Sequence, residues 1–302
     1  LPRGLQKLAA ECKQTPSAAH SDKYGITAKD LHGLPPHLTY LSMPAQNLES
    51  TELYEALPQT LQHLSYGVRA AYGGPRGTLP PPVLHDLREW CCGGLPLVVQ
   101  SPDFAAELPK SLTKIGSPVD ASVLSLLPKS LTSLVVTNLT VYYASIGTVE
   151  SDMNGSPRGI LTTFEKLQSL DIRIAVSSPL LSAAHAMPPT LTSLWIGTTK
   201  LPLDFVKILP ATLESLVVQE GPPASYDPAI LLHLPPRMKV FCIPGSVVMG
   251  KAHASALPRT LEQLKVGQMV VKNSEHLRLL PSKLTSLTFL CHELQLNMVI
   301  NL

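Results

Sequence analysis

The chain has 302 residues, a formal net charge of +2 and only 15% charged side chains, so it lacks the field that would hold nucleic acid or an anionic membrane. Its apolar content is 44% with aromatics at 5%, which calls for an aliphatic core, and no apolar run reaches the roughly 20 residues that a membrane-spanning helix needs. The five cysteines, Cys12, Cys91, Cys92, Cys242 and Cys291, stand at irregular spacing, form no disulfide framework and point to a reducing, cytoplasmic setting.

Eleven of the 29 prolines fall at one phase of a recurring phrase, LPxxLxxLxV. With its first Leu as position zero, copies begin at Leu1, Leu34, Leu57, Pro80, Leu108, Leu127, Thr163, Met187, Leu209, Leu234, Leu257 and Leu280. The unit is about 23 residues, with longer intervals after the first, fourth and sixth copies; those at Pro80 and Thr163 match the phrase least. Apolar residues occupy positions four, seven and nine, as in Leu131, Leu134 and Val136. Positions seven and nine alternate with six, eight and ten, which predicts one short strand per copy with the first pair inward and the other three outward. Proline at position one has no amide hydrogen for a ladder and belongs at the strand's threshold.

The residues leading to each Leu-Pro step change rhythm. Asp120, Asp204, Asp227 and Ser274 each precede apolar residues spaced by three and four, so a one- or two-turn helix is expected after each, with the Asp or Ser as its cap. Pro228 follows Asp227, where a helix tolerates proline best. Such helices are too short to stand alone and persist only by packing. Each copy is therefore strand, loop, short helix, with all strands running one way. Stacked copies form a parallel sheet on one side and a row of helices on the other, a single solenoid over residues 1–302 whose sheet side curves inward. Because the chain starts at Leu1, already in the repeat pattern, it reads as a fragment of a longer chain. The intervals 13–31 and 140–162 read as loops bulging from the stack.

The phrase resembles a leucine-rich repeat, and its LPxSLTSL form is most similar to FNIP-type repeats and to the bacterial LPX class. The family's loop asparagine at position twelve is missing, since that column holds residues such as Leu139, Thr199 and Gly221, and the Phe-Asn of FNIP repeats is not seen. The resemblance implies an α/β leucine-rich-repeat solenoid with a concave parallel sheet and short helices on the convex side. It also implies a protein partner held on the concave strand residues. Carried to this chain, those are Val135, Asp171, Trp195, Val217 and Lys265 at position eight, with Arg173 and Gln219 at position ten. Trp195 falls between Asp171 and Val217, about 5 Å from each by strand spacing, and has the make-up of a binding hot spot. The plainer reading is a tryptophan that merely covers the sheet. Leu194 and Leu216 belong to the core.

Chemistry finds little support elsewhere. Cys91-Cys92 with His85 lacks zinc spacing, the ten histidines share no phase, and GGPRG from Gly73 lacks the Lys-Ser/Thr ending of a phosphate loop. LPPP from Leu79 reads as a stiffened repeat boundary. Asn138-Leu-Thr and Asn154-Gly-Ser fit a glycosylation triplet that matters only outside the cell. No catalytic, metal or cofactor residue is expected. The expected role is an adaptor or substrate-recognition scaffold. Its rivals are the recognition part of a ubiquitin ligase or effector enzyme whose catalytic domain lies outside this chain, and a structural spacer.

Overall fold

In the computed structural model of the chain, the residues after each Leu-Pro close a tight turn. The position-four amide donates to the position-one carbonyl: Leu38 N to Pro35 O at 3.1 Å, Leu213 N to Pro210 O at 3.0 Å, Leu261 N to Pro258 O at 3.0 Å. Proline presets the backbone angle for this turn and has no amide to waste there. The structure describes residues 2, 4–9, 28–47, 51–67, 84–93, 99, 102–137, 160–173, 187–197, 201–219, 225–271 and 274–290. It divides into two compact units, Leu1–Val135 and Val136–Leu302.

Strands follow the turns, starting at position six in every copy but the fourth. In the first unit β1 (Lys7–Ala9), β2 (Tyr40–Asn47), β3 (His63–Gly67), β4 (Glu89–Gly93) and β5 (Lys114–Asp120) pair in chain order, all parallel. Next in the chain is β6 (Ser133–Thr137). In the second unit β7 (Ser169–Arg173), β8 (Ser193–Gly197), β9 (Ser215–Gln219), β10 (Val240–Met249), β11 (Gln263–Val271) and β12 (Ser286–Leu290) do the same.

The fourth copy is a correction of three residues. Counted from Pro80, Glu89 would point inward at position nine; instead Trp90 pairs with Leu64 and Cys91 with Ser65, so the copy begins at Val83 and Cys91, not Arg88, stands at position eight. The physical reason is what gets buried. Leu84, Leu87 and Trp90 are all within 2% of complete burial in this register, whereas the other would bury the Glu89 carboxylate.

Columns four and seven form the core. Leu131, Leu191, Leu194, Leu213 and Leu216 have no exposed surface, and Met238 and Phe241 fill the same columns in the tenth copy. Behind the strands, the helical turns pack in a row in the second unit: Pro228–Leu232 on Lys251–Ala256, and that on Ser274–Leu279. Asp120 accepts from Ser122 N at 3.0 Å and caps the 3-10 turn Ala121–Leu126; Asp227 accepts from Ala229 N at 2.9 Å and caps Pro228–Leu232. Asp204 is not a cap. Pro202, extended, precedes the helix Leu203–Lys207, and Asp204 lies inside its first turn paired with Lys207 at 3.1 Å. The ends of both long intervals are helical turns, Ala28–His32 and Ile160–Thr163, so these residues serve the following copies; 13–27 and 140–159 lie outside the described residues.

Hydroxyl groups tie successive turns together ahead of the strands. At position three, Thr60 Oγ1 donates to Pro36 O and Leu38 O (2.9 and 2.8 Å), Ser130 Oγ to Lys110 O and Leu112 O (2.8 and 2.6 Å), and Thr212 Oγ1 to Pro189 O and Leu191 O (2.7 and 2.9 Å). Ser111 and Thr260 repeat the contact, and Thr190 makes the position-four half of it, to Leu167 O at 2.8 Å. The single hydroxyl proton is shared between two carbonyls of the preceding copy. At position five Thr39, Thr113, Thr132, Thr192 and Thr285 each donate at 3.1 Å to the position-five carbonyl of the copy before. Those carbonyls also take backbone amides, as Gln168 O does from Thr192 N and Ser193 N at 2.9 and 2.8 Å. The SLTS of the phrase thus supplies two hydroxyl rails that tie eight of the copies to their predecessors; copies four, seven and ten have no hydroxyl at positions three or five.

Candidate functional site

Strand alternation turns positions six and eight away from the core, and pairing without a register shift aligns them from strand to strand. In the second unit row eight runs Asp171, Trp195, Val217, Cys242, Lys265 on five successive strands. Trp195 is 39% exposed although Leu194 and Ile196 on either side of it are completely buried. Asp171 is half-buried and accepts from Arg173 Nε at 3.0 Å, which fixes both side chains at one end of the row. Val217 is half-buried, and Arg173, Gln219 and Lys265 are exposed. Burial pushes the Cys242 thiol pKa up, an effect that the charge of Lys265 and a hydrogen bond from its backbone oppose. Row six beside the indole is Ser169, Ser193 and Ser215, a line of small hydroxyls that leaves the ring standing clear.

Val135, in the first unit, departs from its expected place on an open surface. It is only 9% exposed and packs, because an isopropyl group on a sheet face is stabilised by being covered.

Row six of the first unit holds an arrangement that sequence reasoning missed. Lys7 Nζ stands 4.5 Å from the centre of the Tyr40 ring, and Tyr40 stacks on His63 with ring centres 4.0 Å apart and planes 5° from parallel. His63 Nδ1–H donates to Glu89 Oε2 at 3.0 Å, and Lys114 Nζ approaches the same oxygen at 3.6 Å. A carboxylate only accepts, so neutral His63 carries its proton on Nδ1. Five side chains on five strands are linked, with row eight beside them reduced to Ser42, Ser65, Cys91 and Gly116. The result is a shallow depression of about 240 Å³. Its signal in the sequence was the replacement of serine by Lys, Tyr, His, Glu and Lys at position six of copies one to five, hidden by the misplaced fourth copy.

Among the described residues no helix is long and apolar enough to cross a membrane, and no three His, Cys, Asp or Glu side chains gather as a metal site. No family model matches the chain, and no curated protein matches it. Among solved structures, CroV588, described as a circular LRR protein, matches with a TM-score of 0.46 and 18% identity over 87% of this chain. This chain spans 38% of CroV588. The internalin InlF from Listeria monocytogenes matches with a TM-score of 0.48 and 18% identity over 88% of this chain and 77% of its own. With one parallel strand per copy, a largely leucine-filled inward column and, among the described residues, a short helical return before nine of the twelve strands, the chain has the α/β leucine-rich-repeat fold.

Proposed function

We propose that the chain is a non-enzymatic protein-interaction module, closest in subclass to FNIP-type or LPX-type repeats, that holds a protein partner on the open sheet face of its second unit. The observation that carries this reading is the exposure of Trp195 at 39% on a regular strand whose inward side chains are sealed. The indole contributes little to the core, and a large rigid aromatic left open among small polar groups is the type of residue on which binding energy concentrates. Asp171 and Val217 flank it across the strands, while Arg173, Gln219 and Lys265 supply a polar rim. Free Cys91 and Cys242 are in keeping with a reducing cytoplasm.

The chain's two tryptophans make the test direct, because Trp90 is only 2% exposed. Acrylamide quenching therefore reports on Trp195, and a captured partner should shield it. Trp195→Ala should leave the melting transition nearly unchanged and abolish capture from lysate under photo-crosslinking. Capture that survives the substitution, or a Trp195 that stays fully quenchable in the complex, would refute this assignment.

A further inference from the structure

We infer, resting on the Trp195 reading, that the partner presents a proline-rich segment in the polyproline conformation, lying across strands β8 to β10. Row eight is apolar over these three strands: Trp195 pairs with Val217, and Val217 with Cys242. The free thiol of Cys242 behaves as a small hydrophobe, and Val240 and Pro244 flank it on its own strand. Val217, Val240, Cys242 and Pro244 are all half-buried, so the band beside the indole is open along its length. The Asp171–Arg173 pair closes it at one end and Lys265 at the other.

The groups left unused beside the band call for an acceptor. Among the described residues the indole N–H of Trp195 and the carboxamide of Gln219 have no partner. Gln219 pairs with Gly197, which sets it diagonal to Trp195 with no side chain between them along β8. The carboxylate next to the ring, Asp171, is already taken by Arg173 Nε at 3.0 Å. The complement is a backbone with carbonyls to offer and few amide hydrogens to place. Proline has no amide hydrogen, and a polyproline helix makes no internal hydrogen bonds, so its carbonyls are free to accept. An α-helix uses its carbonyls within itself.

Spacing makes the same choice. Trp195 and Cys242 are two strands apart, about 9.6 Å at the usual strand separation. One turn of polyproline helix, three residues, advances about 9.3 Å, so pyrrolidine rings on one face fall on Trp195 and on Cys242 in turn. An α-helical turn advances about 5.4 Å and a β-strand about 6.8 Å between side chains on one face, and both drift further from the strand steps. A segment already held in the polyproline conformation also loses little chain freedom on docking.

The test is fluorescence anisotropy of the full chain with fluorescein-labelled decaproline, beside a Gly-Ser peptide and a helical Ala-Leu peptide of equal length. Decaproline should bind saturably and about tenfold more tightly than either control. Trp195→Ala should weaken it by about tenfold or more. Trp195→Phe keeps a ring but loses the N–H donor and should weaken it about fivefold, and Gln219→Ala about threefold. Thr288→Ala, on the same row but beyond Lys265, should change nothing. The inference is overturned if decaproline binds no better than the controls, or if Trp195→Phe binds it as the parent does. Failure of decaproline, with the photo-crosslinked partner still lost in Trp195→Ala, removes the proline chemistry and leaves the Trp195 surface standing; a partner captured by Trp195→Ala removes both.

Discussion

Thr212→Val removes one hydroxyl from the position-three rail and almost nothing else. Valine keeps the β-branched shape and the volume, so packing is preserved. The Oγ1 of Thr212 lies 2.7 Å from Pro189 O and 2.9 Å from Leu191 O, and among the described residues no backbone amide reaches the Leu191 carbonyl. The substitution deletes a hydrogen bond worth about 1 kcal/mol and leaves a part-buried acceptor that water reaches incompletely, for an expected loss of about 1–2 kcal/mol. In a unit of this size that lowers the melting temperature by about 2–4 °C per kcal/mol. Urea unfolding is the assay, with the loss appearing as a lower midpoint at unchanged slope. Thr288→Val is the control, because Thr288 is exposed on row eight and stands outside both rails. Its effect should stay within about 0.5 kcal/mol. Thr212→Ser restores a hydroxyl and should recover most of the stability. If Thr212→Val costs no more than Thr288→Val, or if serine is as damaging as valine, the rails do not hold the copies together.

Leu194→Ala should cost about 2–5 kcal/mol in a denaturant melt, since Leu194 is completely buried; a mild effect would contradict the strand register. At Gly267 an added Cβ would lie 1.7 Å from Pro244 O, a backbone atom at the place where β10 and β11 both shift register. Gly267→Ala should therefore destabilise by about 1–3 kcal/mol or more, while Gly4→Ala, with nothing within 4 Å, should be silent in the same urea titration. The Cys242 thiol, its pKa above the ordinary value of 9.0, should alkylate with iodoacetamide more slowly at neutral pH than in the denatured chain. Lys265→Met removes the charge that pulls that pKa down and should slow the reaction further; mass spectrometry showing faster labelling would reverse the argument.

The repeat, its phase and the identity of the inward columns were legible in the one-dimensional pattern. A strand's period of two and the proline at position one are local properties, which is why Leu131, Leu134 and Val136 could be placed inward before any neighbour was known. The local pattern failed at the fourth copy, where Leu84 stands in for the proline and the prolines at 80–82 mark the wrong start. It also failed at Asp204, where Pro202 displaced the cap. The open surface was only partly readable: Trp195 stands clear as expected and Val135 does not, since exposure depends on what other segments lay over a residue.

The sequence by itself determined a ladder of parallel strands sealed by leucine. Only the tertiary structure decided how the copies are joined and which outward side chains act together. Thr212 meets Leu191, and Lys7, Tyr40, His63, Glu89 and Lys114 meet one another, across gaps of about one repeat. Those meetings depend on register between strands and on the distance between neighbouring turns, which no single copy encodes.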